Sequence, residues 1–90
     1  MEIKVTNFKS VKKGFVEAKF DVEISSISLT IRDYTLFSKG NERWIQCPCR
    51  MYEIEGKKKY FSFIDMKGDV KQKFDKECMS QIEKCYLPSF

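Results

Sequence analysis

The chain predicts an α+β domain: a five-stranded, mostly antiparallel twisted sheet with one C-terminal helix packed on it. Three observations carry this. Apolar and polar residues alternate with period two through the first two-thirds of the chain. Short glycine-bearing breaks separate those runs. After Gly68 the period changes, and Val70, Phe74, Cys78, Ile82 and Tyr86 recur at spacing four, an amphipathic helical stripe. Eight Phe, four Tyr and one Trp in 90 residues also favour sheet over bundle.

Each element follows from its own residues. Ile3, Val5 and Phe8 alternate with polar neighbours in a first short strand. Lys9, Lys12 and Lys13 with Gly14 read as a basic turn. The second strand is the cleanest: Val16, Ala18, Phe20, Val22 and Ile24 share one face, and Glu17, Lys19, Asp21 and Glu23 the other. Ser25-Ser26 is a break. Ile27, Leu29 and Ile31 open a third strand whose phase slips by one residue at Asp33, the signature of a β-bulge.

Ser38-Lys39-Gly40-Asn41 forms a hairpin turn. A fourth strand follows, with Ile45, Cys47, Cys49 and Met51 on one face and Trp44, Gln46, Pro48 and Arg50 on the other. Pro48 has no amide hydrogen, so this strand lies at an edge or is bulged there. Glu55-Gly56-Lys57-Lys58-Lys59 is a basic turn, and Tyr60 to Met66 a fifth strand. Gly68-Asp69 opens the helix with Asp69 as N-cap, and Pro88 stops it. Repeats, low-complexity tracts and linkers are absent, so residues 1–90 form a single domain, sheet over 1–66 and helix over 69–87.

Composition narrows the chemistry. The formal net charge of +4 permits a polyanionic partner without requiring one. Histidine is absent, which removes the commonest general base and metal ligand. The four glycines are isolated and build no phosphate-cradling loop. Asp21 and Glu23 alternate on a wet strand face and read as solvated. The chain is therefore not expected to be an enzyme, and no cofactor is expected. No apolar run approaches the ~18 residues of a membrane span. The first residues read as a strand, not a signal peptide, so a cytoplasmic location with reduced cysteines is expected.

The basic set comprises Lys9, Lys12, Lys13, Lys39, Arg43, Arg50, Lys57, Lys58 and Lys59. Gathered at one end of the sheet, these cations would capture backbone phosphates. Trp44, Tyr34, Tyr52 and Tyr60 would offer stacking faces. The opposing reading is that the lysines only solvate the surface and blunt sheet edges, and the 13 acidic residues favour it. Cys47 and Cys49 share a strand face, and Cys78 and Cys85 lie a heptad apart on the helix, both pairs expected between sheet and helix. Core packing is the favoured reading of these cysteines; a four-thiolate zinc site is the weak alternative. Met79 and Leu87 lie off the helical stripe and Phe90 ends the chain, which points to a dimer contact or docking tail.

From the second to the fifth strand the chain resembles the stage V sporulation protein G (SpoVG) family and its small phage-borne relatives. The resemblance rests on Ile31-Arg32-Asp33 with Leu36, on Gly40-Asn41, on Trp44-Ile45-Gln46-Cys47-Pro48-Cys49-Arg50 and on Gly56-Lys57-Lys58-Lys59-Tyr60. The family's Pro-Ser-Lys motif stands here as Pro48-Cys49-Arg50, with the cation kept. Two features depart from the pattern. The His-Pro motif is replaced by Ile64-Asp65-Met66, and the second cation after the proline motif is Met51. The resemblance implies a small sheet with a C-terminal helix, a homodimer, and binding to DNA and RNA as a regulator or accessory factor of low sequence specificity. Arg43, Trp44 and Arg50 would centre the contact, with Lys57, Lys58, Lys59, Lys12 and Lys13 around them. The alternative from another class is a small protein-binding module, such as a phage-encoded inhibitor of a host protein, joined by strand addition at the proline-marked edge.

Overall fold

The computed structural model describes residues 2–87. It has six strands, one short 3-10 turn and one helix: β1 (Ile3–Lys13), β2 (Val16–Ile24), η1 (Ser25–Ile27), β3 (Leu29–Lys39), β4 (Glu42–Gln46), β5 (Cys49–Ile54), β6 (Lys57–Ser62) and α1 (Asp69–Cys85). The expected α+β class and the C-terminal helix are present, but the single five-stranded sheet is not. β1 to β4 form one antiparallel sheet in chain order, and β5 and β6 form a second, two-stranded sheet.

The expected fourth strand is split at Pro48. Without an amide hydrogen, proline cannot carry a ladder onward. β4 therefore ends at Gln46 as the edge of the large sheet, and β5 starts at Cys49 in the small one. The Pro48 carbonyl accepts from the Phe63 amide at 3.0 Å, closing the base of the β5–β6 hairpin. That hairpin is shorter and earlier than the expected turn and fifth strand. Its turn is Glu55-Gly56 alone, both at positive φ (53° and 76°), the backbone that a two-residue type I′ connection requires and glycine tolerates. Lys57–Lys59 are consequently strand residues, and 63–66 follow the strand instead of belonging to it.

The first strand is also longer than expected: Lys9, Lys12 and Lys13 lie within β1, which turns only at Gly14 and Phe15. The bulge at Asp33 is as expected. Asp33 has φ +70°, and the register jumps from Phe20 opposite Tyr34 to Val22 opposite Ile31. A second bulge lies across the sheet, where Asn7 (φ +50°) interrupts the β1–β2 register between Thr6 and Lys9. Asp21, on the strand between them, fastens both. Its carboxylate accepts from the Asn7 amide (2.9 Å), the Arg32 guanidinium (3.2 Å) and the Asp33 backbone N–H (3.2 Å).

The core lies between the large sheet and α1. Val5, Ala18, Phe20, Val22, Tyr34, Leu36 and Ile45 meet Phe74, Cys78 and Ile82 of the helix. A relay of rings crosses this layer: Tyr86 on Phe8 (4.6 Å between centroids), Phe8 on Phe20 (6.4 Å), Phe20 on Tyr34 (5.4 Å) and Tyr34 on Phe74 (5.9 Å). The helical stripe therefore buries its centre, while Val70 at its start remains exposed. Gly68, not Asp69, occupies the N-cap. Asp69 stands in the first turn, where a carboxylate favours the helix dipole, and pairs with Lys73. The helix also shields the β1 edge, because Gln81 accepts from the Val5 amide (2.8 Å) and donates to the Ile3 carbonyl (2.7 Å). Pro88 and Phe90 lie outside the described residues.

The hydrogen bond from Asn7, with those from Asp33 and Arg32, holds the Asp21 carboxyl below the usual carboxylate range. A depressed folded-state pKa contributes stability that is present above the unfolded-state value, near pH 4, and is lost as pH falls through the folded-state value. Asp21→Asn should therefore lower the urea midpoint at pH 7 and flatten the loss of stability on acidification. An unchanged acid profile in that variant would show that the two bulges do not depend on this carboxylate.

Candidate functional site

The β5–β6 hairpin stands apart from the rest of the surface. Its contacts run mainly between its own two strands, and every side chain from Arg50 to Phe63 is exposed. A two-stranded ribbon in water is marginal by itself, and this one carries large apolar groups outward: Tyr60 is 63% exposed, Phe63 59% and Phe61 57%.

Register sorts the hairpin into two unlike faces. Residues paired across an antiparallel ladder share a face, and successive residues alternate. The pairs Arg50 with Phe61, Tyr52 with Lys59 and Ile54 with Lys57 make one face. It presents three cations, two aromatic rings and no acid, and Phe63 meets Phe61 edge-on at 6.0 Å. The pairs Cys49 with Ser62, Met51 with Tyr60 and Glu53 with Lys58 make the other, which is neutral because Glu53 opposes Lys58.

The expected binding residues are thus only partly brought together. Arg50, Lys57 and Lys59 share the basic face, and Lys58 lies on the opposite one. Arg43 sits on β4 and is paired with Glu17 at 2.9 Å. Trp44, its neighbour on that strand, stacks on Phe37 at 5.5 Å and lines a groove with Phe15 and Tyr60. Lys12 and Lys13 close the β1–β2 hairpin of the other sheet. Arg43 and Trp44 thus stand on β4 of the large sheet and Arg50 on β5 of the small one, on either side of the break at Pro48. Tyr34 offers no stacking face, being buried in the core. Phe61 is the residue that sequence reasoning missed. Its signal was its distance of two from Lys59, which in a strand places it on the same face.

The cysteines do not converge. Cys78 is buried under the helix and Cys85 is exposed. Cys47 and Cys49 flank Pro48, the first donating to the Ile64 carbonyl (3.7 Å), the second accepting from the Gln46 side-chain amide (3.3 Å). Among the described residues, no three Cys, Asp or Glu side chains are placed to hold a metal ion. The four-thiolate alternative lacks its geometry. Met79 and Leu87 pack against the core and do not form the exposed apolar patch expected of them. No helix among the described residues is long and apolar enough to cross a membrane.

No family model, no curated protein and no solved structure matches this chain.

Burial pushes the Cys78 thiol up to about 12, which keeps it protonated and unreactive in the native fold. In a native titration with a water-soluble thiol reagent, Cys85 should react first and Cys78 only on unfolding. Equal rates at Cys78 and Cys85 would show that the helix does not cover the core as described.

Proposed function

We propose that this protein binds nucleic acid through the basic face of the β5–β6 hairpin, with low sequence specificity and without catalysis. The observation that carries the reading is the segregation of charge. Arg50, Lys57 and Lys59 stand together with Tyr52 and Phe61 on a face free of acids, although the whole chain has 13 acidic residues. Lysine and arginine in this arrangement neutralise backbone phosphates. Exposed rings between them stack on unpaired bases, worth about 1–3 kcal/mol per base. A single strand is the substrate that uses both. The resemblance to the stage V sporulation protein G family supports the same reading and the role of regulator or accessory factor.

Two other groups of cations fit this role less well. Arg43 already has a carboxylate partner, and Lys12 and Lys13 lie on the other sheet, where Lys12 shares a hollow with the acidic Glu17. A second reading, a protein-binding module, is favoured by the free edges of the hairpin and by the apolar Met51 and Tyr60 on its neutral face.

Fluorescence anisotropy of a labelled single-stranded oligonucleotide separates these readings. Three phosphate contacts predict a log–log salt slope of about −2. Arg50→Glu combined with Lys59→Glu should weaken binding at least about tenfold at low salt, by removing two such contacts and adding repulsion. Lys12→Glu with Lys13→Glu should have a much smaller effect. Both double variants change exposed side chains and should fold. Binding that is absent at low salt, or indifferent to the Arg50–Lys59 pair, rejects the assignment and moves the search to a protein partner.

A further inference from the structure

Between the hairpin and the first turns of the helix lies a cavity of about 440 Å³, within the size range of small-ligand pockets. Tyr34, Ile45, Cys47 and Asp75 line it, as do Tyr60 and Phe61 from the hairpin. Lys71 lines it as well, held to Asp75 at 2.6 Å.

Tyr34 is the unusual member. Its side chain is 1% exposed, and its hydroxyl is buried without a hydrogen-bond partner among the described residues. Buried hydroxyls are ordinarily paired, because an unmade hydrogen bond in a dry site costs about 1–3 kcal/mol. Burial also raises the phenol well above its ordinary pKa, so the group is a neutral donor and acceptor at physiological pH. An unmet hydroxyl in a cavity lined by aromatic rings and a carboxylate fits a flat ring that has apolar faces and polar edges.

We propose that this cavity receives one nucleobase, so that a single strand lying on the basic face turns a base inward. This rests on the reading of the hairpin as a nucleic-acid surface. Phe61 links the two sites, since it belongs to the basic face and also lines the cavity. The base stacks on the Phe61 ring. A carbonyl or ring nitrogen of the base accepts from the Tyr34 hydroxyl, and its N–H groups face the Asp75 carboxylate.

The test uses free nucleoside monophosphates as probes, titrated into the methyl-labelled full chain and followed by NMR. The expected result is a selective shift of the Ile45, Ile64 and Met66 methyls that line the cavity. Tyr34→Phe should weaken that binding about threefold to tenfold, the value of one hydrogen bond, and leave thermal stability unchanged or raised, since the lost hydroxyl has no partner among the described residues. Phe61→Ala, at an exposed position, should weaken it as well. The proposal is overturned if no monophosphate moves these methyls, or if Tyr34→Phe binds as the wild type does. Anisotropy with an oligonucleotide reports the surface separately. Oligonucleotide binding without monophosphate binding rejects the cavity alone, and monophosphate binding without oligonucleotide binding rejects the hairpin surface alone.

Discussion

The missing amide hydrogen of Pro48 is the constraint on which the rest of this architecture depends. An unbroken strand from Glu42 to Ile54 would continue the ladder of β3 and extend one sheet. Proline ends that ladder, and the chain leaves the large sheet between Gln46 and Cys49. The bond from the Phe63 amide to the Pro48 carbonyl then ties the returning chain to the same point. The result is a ribbon held at its base and open along both sides. With β5 and β6 inside a single sheet, helix or solvent would dictate one face of each strand. Detached, the ribbon keeps both faces accessible, and its cations and rings need not serve the core.

Two regimes of charge follow from that separation. On the large sheet, opposite charges lie within bonding distance: Arg43 with Glu17, Arg32 with Asp21, and Lys19 with Asp33. Such exposed pairs add little stability, about 0–1 kcal/mol each, and each sets an acid directly beside its cation. On the hairpin, the register gathers Arg50, Lys57 and Lys59 on one face and sends Glu53 to the other, opposite Lys58. A net charge of +4 is modest for the whole chain, yet its distribution gives one small surface a consistent sign. The proposed function rests on this distribution more than on the total.

Much of the fold was legible in the sequence. Strict alternation from Val16 to Ile24 specified β2 and its buried face, and the phase slip at Asp33 specified a bulge that its positive φ and shifted register display. The spacing-four stripe specified the helix and its buried residues Phe74, Cys78 and Ile82. What escaped was long-range. Pro48 announced an interruption, but alternation on either side of it cannot say whether the chain resumes the same sheet. The length of β1 was hidden because Asn7 and Lys12 adopt positive φ, which breaks the alternation without ending the strand. At the site, the residue types were legible and their grouping was not. Consecutive lysines read as one turn, whereas in a strand Lys58 points away from Lys57 and Lys59. The cysteines were a pairing by sequence distance that the helix geometry undoes, with Cys78 inward and Cys85 outward.

The most direct test of the central claim is an amide chemical-shift map of the labelled protein with a short single-stranded oligonucleotide at low salt. The account predicts perturbations concentrated on residues 49–63, strongest along Arg50, Tyr52, Lys59 and Phe61, and fading as salt rises. Perturbations centred on Trp44 and the large sheet, or none at saturating oligonucleotide, would contradict it.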